Sequence, residues 1–141
     1  MMNVFIDTNI LLDLLEQHRK GHDESVRLFQ AIRTAGCHAL ISTQSIIDAA
    51  YIHTAKEKAL VSEFRSLIGR LMTQVRIVSI SQADIAAANV SAIKDYEDAA
   101  QVACALSEAC DVFVTRDKGL GPVRGMEVMD VKDFLDRVLV P

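Results

Sequence analysis

The chain has no tryptophan, and aromatic residues make up 5% of its 141 positions. A protein that grips single-stranded nucleic acid by stacking bases on aromatic platforms carries more. Proline occurs only at positions 122 and 141, and glycines cluster at 119, 121 and 125. No Pro/Gly-rich linker divides the chain, and one loop late in it is marked as irregular. Cys37, Cys104 and Cys110 form no CxxC pair and leave one thiol over in any disulfide scheme. Six residues apart, Cys104 and Cys110 fall on different faces of a shared helix. The three read as reduced thiols in or near a core, and no histidine at ligand spacing joins them to make a zinc site.

Long apolar runs are also missing. None approaches the ~18 residues that span a bilayer. No basic segment precedes the N-terminal apolar stretch, which Asp7 and Asp13 interrupt, so no secretory signal is read. A cytoplasmic protein is expected. The net charge of −4 excludes a generally basic nucleic-acid coat, though not a local basic rim. Half the residues are apolar and 24% are charged, an ordinary globular balance. One domain over residues 1–141 is expected, large enough to bury a core.

What is present is an alternation of short apolar runs and helical periodicity. Asn3–Ile6, Ala39–Ser42, Arg76–Ile80 and Asp111–Thr115 read as buried strands, with a short fifth at Glu127–Met129. Helices are expected over Ile10–Gln17, Glu24–Ala35, Thr43 to about Lys58, Leu60–Met72, Ser81 to about Ile93, Tyr96–Ala109 and Val131–Leu139. Gly36 is a natural stop for the second helix. Thr43, Ser81 and Asp95 are the expected caps. Strands separated by helices predict an α/β fold, with a central parallel sheet of about 4–5 strands and helices on both faces. In such sheets ligand sites form beyond the carboxyl ends of the strands, near a reversal of strand order.

Four aspartates fall where that rule places a site. Asp7 directly follows the first strand, and Asp117 lies two residues past the fourth. Asp48 is early in the helix after the second strand. Asp98 is in the first turn of the helix that Asp95 opens, with Glu97 beside it. Such a convergence repels itself without a cation. A hard divalent ion, Mg²⁺ or Mn²⁺, prefers oxygen ligands and resolves the repulsion. Each acid also has an ordinary structural reading. Asp7 could cap a helix, although Thr8 or Asn9 could do so equally. Asp98 suits a helix macrodipole, Asp48 suits an exposed helix face, and Asp117 suits a polar turn. His53 lies on an otherwise apolar helix face and reads as a packed or surface histidine, not a ligand. Gly119-Leu120-Gly121 fits neither phosphate-binding glycine pattern.

Four segments, Phe5-Ile6-Asp7-Thr8-Asn9, Ser45–Tyr51, Asp95-Tyr96-Glu97-Asp98-Ala99-Ala100-Gln101 and Val114-Thr115-Arg116-Asp117-Lys118, match a known pattern in order and spacing. The chain resembles the PIN-domain ribonucleases, and among them the VapC-type toxins of toxin–antitoxin pairs. The resemblance implies a single PIN-like domain with Asp7, Asp48, Asp98 and Asp117 as catalytic acids. It implies Mg²⁺ or Mn²⁺ held chiefly by Asp7, Asp98 and Asp117, and RNA phosphodiester hydrolysis. Thr8 and Asn9 would support the first acid, Thr115 would position water or phosphate, and Asp95 would be an extra ligand or a supporting group. Many relatives carry glutamate where Asp48 stands, so its contact with metal would run through water. A homodimer and an antitoxin partner are implied as well.

RNA must still approach an acidic chain. Arg116, Lys118 and Arg124 flank the glycine loop and are the first candidates for a basic rim, with Arg19, Lys20, Lys56 and Lys58 behind them. Two other enzyme classes place aspartates at strand ends. A haloacid-dehalogenase-like phosphatase wants an acid where Asn9 stands, and a receiver domain wants one after the third strand, which ends Val78-Ser79-Ile80-Ser81. A module that binds RNA or protein without cutting is the non-enzymatic alternative.

Overall fold

The computed structural model describes residues 1–55 and 57–139. Lys56 lies outside the described residues. The elements run β1 (Asn3–Ile6), α1 (Thr8–Leu15), α2 (His22–Thr34), β2 (His38–Ser42), α3 (Thr43–Thr54), α4 (Leu60–Leu71), β3 (Val75–Val78), α5 (Gln82–Asn89), α6 (Tyr96–Ser107), β4 (Val112–Val114), β5 (Glu127–Met129) and α7 (Val131–Leu139). The strands form one sheet in the order β3-β2-β1-β4-β5. Every pairing in it is parallel. This is the α/β architecture expected from the alternation of elements, at the upper end of the expected strand count.

The two-residue period of the strands divides the core. Val4, Ile6, Ala39, Ile41, Val112 and Val114 face α1, α2 and α7, where they pack with Ile10, Leu11, Leu28 and Phe134. Phe5, Leu40 and Phe113 face the other way and pack with Val102, Cys104 and Ala105 of α6. Phe5 and Phe113 stack with centroids 5.3 Å apart. Both faces are apolar because both are covered, and the strands accordingly read as continuous apolar runs. All three cysteines are free. Burial pushes the Cys104 and Cys110 thiols up to about 12, which keeps them protonated and unreactive. No helix among the described residues is long and apolar enough to cross a membrane.

Several boundaries differ from the sequence expectation. Ser42, and not Thr43, caps α3; its side chain accepts from the Ser45 backbone N–H. Ser42 is the last strand residue and still extended, as a cap must be, whereas Thr43 is already helical. Helix α3 stops at Thr54 instead of running to Lys58. No glycine or proline stops it. The stop is tertiary: α4 folds back, and Phe64 packs on the His53 ring with centroids 5.9 Å apart. Helix α5 ends at Asn89, short of Ile93, while its Ser81 cap forms a full capping box with Asp84. Gly36 ends α2 at φ 71°, the left-handed conformation glycine adopts without penalty.

Candidate functional site

Strand order reverses at β1, which lies between β2 and β4. The carboxyl ends of β1 and β4 therefore flank the switch point. A cleft of about 880 Å³ opens there, lined by Asp7, Asp48, Asp95, Glu97, Asp98 and Asp117 together with Thr8, Asn9, Tyr51 and Arg116. All four aspartates named from the sequence reach this one cleft. Thr8, Asn9 and Asp95 reach it too.

Asp7 is 4% exposed. It does cap α1: Oδ1 accepts from the Thr8 backbone N–H at 2.8 Å. Its other oxygen accepts from the Thr115 hydroxyl at 2.7 Å. The cap and the site are thus one residue, which a sequence cannot separate. Burial pushes the Asp7 carboxyl up, and the nearby Asp117 charge adds to that; the two hydrogen bonds and Arg116 oppose it. Thr115 also accepts from the Asp117 backbone N–H at 3.0 Å, so it ties the ends of β1 and β4 together. Its hydroxyl proton is engaged with Asp7.

Asp98 is 8% exposed, on the first turn of α6, where Asp95 accepts from its backbone N–H at 3.0 Å. Desolvation, a hydrogen bond to Asp117 and the charges of Asp7, Asp95 and Asp117 push the Asp98 carboxyl up to about 8. Asp117, on the exposed loop, is held below the ordinary carboxylate range by that hydrogen bond and by the Gly119 backbone N–H. The two carboxyls oppose each other's ionisation, the buried Asp98 being the one raised and the exposed Asp117 the one lowered. Asp48 is half-buried on α3 and accepts from the Gln44 amide at 2.8 Å. Glu97 is a lining acid that the sequence reading left beside Asp98 without a role. Desolvation and the charges of Asp7 and Asp48 push it up.

Beneath the acids lies a polar knot the sequence did not reveal. Gln101 of α6 is completely buried and donates to the Thr8 hydroxyl at 3.1 Å and to the Ser45 hydroxyl at 2.7 Å. Thr8 and Ser45 are themselves 2.7 Å apart. One amide therefore fixes the starts of α1 and α3 against α6, the three helices that carry Asp7, Asp48 and Asp98. Gln101→Leu removes both donors from a buried site and is expected to cost about 2 kcal/mol of stability, read from the denaturation midpoint. A signal was available in the helical spacing, which puts Asp98 and Gln101 three residues apart on one face.

The basic candidates separate. Arg116 lines the cleft. Lys118 lines a neighbouring hollow that shares Thr115 and Asp117 with it. Arg124 is exposed in the loop before β5 and lines neither. Arg19 is committed to Asp13 and Glu16. Among the described residues no three His, Cys, Asp or Glu side chains stand in a ready-made metal cage. The donor set nevertheless fits a hard cation. It is all oxygen, it is strongly negative, and it holds a proton on Asp98 that a cation would replace. An open arrangement suits Mg²⁺ in particular, which keeps several waters.

Residues 3–119 match the family model for the PIN domain. Ribonuclease VapC1 of Aquifex aeolicus (strain VF5) is 27% identical over 143 residues, covering 95% of this chain and 94% of that protein. In fold, the chain superposes on the VapBC2 complex of Rickettsia felis bound to a promoter DNA fragment, with TM-score 0.68, 14% identity and coverage of 92% and 98% of the two chains. A toxin–antitoxin complex from Klebsiella pneumoniae gives TM-score 0.66 and 23% identity over 91% and 97%. The Mycobacterium tuberculosis toxin VapC20, described as cleaving the sarcin–ricin loop, gives TM-score 0.62 and 14% identity over 82% and 90%. With the family match spanning most of its length, the chain belongs to the PIN domain family.

Proposed function

We propose that this chain is a metal-dependent endoribonuclease, working in the cytoplasm as the toxin of a toxin–antitoxin pair. One observation carries the reading: Asp7, Asp48, Asp98 and Asp117, from four separate elements, line one cleft at the switch point of the sheet. The Aquifex relative, named a ribonuclease, and the toxin–antitoxin complexes of the same fold support it. A single domain over residues 1–141, a homodimer and an antitoxin partner belong to the same proposal.

Asp7, Asp98 and Asp117 would hold a Mg²⁺ or Mn²⁺ ion, with Asp48 reaching it through water. When bound, the ion makes water acidic enough to attack and offsets charge on the phosphoryl group. The chain's own residues do the rest. Thr115 and the Thr8 N–H hold the Asp7 carboxylate in one orientation. Gln44 does the same for Asp48. The Gln101 knot keeps three acid-bearing helices in register. Rigid placement of this kind is where much of catalysis lies. In-line attack by water leaves a 5′-phosphate and a 3′-hydroxyl.

The test is cleavage of a mixed RNA pool by pure protein with Mn²⁺ and again with EDTA. Cleavage that needs the metal and leaves 5′-phosphates is expected. A 2′,3′-cyclic phosphate would overturn the mechanism. Folded protein that neither cuts RNA nor binds metal by calorimetry would identify a binding module instead.

A further inference from the structure

One buried carboxylate takes no part in the cleft. Asp13 lies within α1, its side chain 2% exposed. Its Oδ1 accepts from Arg19 Nε at 2.9 Å, and its Oδ2 stands 3.2 Å from Arg116 Nε. Arg19 is steadied in turn by Glu16 at 3.2 Å, and Glu16 by His53 at 3.1 Å. The start of α2 closes over the same oxygen. A Cβ on Gly21 would stand 2.2 Å from Asp13 Oδ2. Gly21 has φ −85°, a value any residue adopts, so space and not backbone conformation calls for glycine there. The surroundings are shaped around the Asp13 carboxylate.

Arg116 is differently placed. Its side chain is 43% exposed, and it lines the acidic cleft. Six acids line that cleft, and each is a competing partner for a guanidinium. Yet among the described residues Arg116 pairs with Asp13 and with no other carboxylate. The nitrogen nearest that carboxylate is Nε, in an ion pair and not a hydrogen bond, and the terminal nitrogens make no hydrogen bond among the described residues. A guanidinium tied at Nε and open at its two terminal nitrogens matches a phosphate, which takes two parallel donors.

We propose that Asp13 is a positioning residue that holds Arg116 away from the cleft acids, with its terminal nitrogens presented to a backbone phosphate of the RNA strand. This rests on the ribonuclease reading above. Without Asp13 the guanidinium would turn to the cleft acids and lose its phosphate. Asp13 would not touch RNA, and its effect on binding would pass wholly through Arg116.

The experiment is a double-mutant cycle on binding of a fluorescent single-stranded RNA, in EDTA so that no strand is cut, over a range of salt. Arg116→Ala is expected to weaken binding about tenfold and to flatten the salt dependence by about 0.7 in log–log slope, the loss of one phosphate contact on a single strand. Asp13→Asn is expected to weaken binding nearly as much, and the double variant no further than Arg116→Ala alone. Gly21→Ala, which drives the Asp13 carboxylate aside without backbone strain, should reproduce the loss, and so decides the matter where Asp13→Asn does not fold. Additive losses, or wild-type binding by Gly21→Ala and Asp13→Asn, would overturn the positioning role. Wild-type affinity in Arg116→Ala would overturn the phosphate contact. In those cases wild-type protein still binds and cuts RNA. Wild-type protein that neither binds nor cuts brings down the ribonuclease reading itself, and this inference with it.

Discussion

Asp7→Asn is expected to lower RNA cleavage at saturating Mn²⁺ by a hundredfold or more, about the loss that follows removal of one preorganised charge stabiliser. The same change should leave the metal-free protein as stable as wild type, or more stable. Asn keeps an oxygen to cap α1 and accept from the Thr8 N–H, and its amide N–H donates to the Thr115 oxygen where the carboxylate accepted from it. It removes a buried charge whose ionisation burial already opposes, and one that faces Asp117. Activity and stability thus move in opposite directions, as they do where a site is strained for function. Thermal melts in EDTA at pH 8, run beside single-turnover cleavage, measure both. A variant that loses activity and melts well below wild type would mean that the Asp7 carboxylate is chiefly structural, through its bond from Thr115.

The fold was legible because the central strands β1, β2 and β4 are short, mainly apolar runs bounded by polar residues and covered on both faces. The acids were legible because the topology of parallel sheets fixes where strands end. Asp7 and Asp117 sit at the ends of β1 and β4, the pair that flanks the switch point. Other features depend on neighbours brought together only by folding. Gln101 looks like an ordinary polar helix residue until α1 and α3 present Thr8 and Ser45 to it. Asp13 looks like a break in an apolar helix face, yet it is as buried as Leu11 and Leu12 beside it, because Arg19 from the following turn and Arg116 from the loop after β4 both reach it. Arg116 and Lys118 read alike in sequence, but one lines the cleft and the other a neighbouring hollow. The stop of α3 at Thr54 has no local signal either, since it depends on how α4 folds back.

The second large effect concerns the proton on Asp98. An ordinary aspartate loses its proton near pH 3.9; in the folded, metal-free protein Asp98 keeps it to about 8. Between those values the folded chain binds a proton that the unfolded chain has released. Stability contributed by this group therefore falls as pH rises from about 4 to about 8, and is constant outside that window. Asp84 and Glu127, held low in the fold, act oppositely at acid pH, so the comparison must be with a variant and not with pH alone. Asp98→Asn removes the titration. Its melting temperature in EDTA should gain on wild type steadily from pH 5 to about pH 8 and level off above. A cation on Asp98 must displace the proton, so its affinity should rise close to tenfold per pH unit up to about pH 8 and level off above. Calorimetry at pH 7 in buffers of different ionisation enthalpy should count about one proton released per Mn²⁺ bound, falling to none at pH 9. Saturating Mn²⁺ then reverses the order of the melts, because only the wild type gains the full binding energy of the ion. Affinity independent of pH between 6 and 8 would mean that the ion sits away from Asp98, and the ligand set would have to be drawn from Asp7, Asp48 and Asp117 alone.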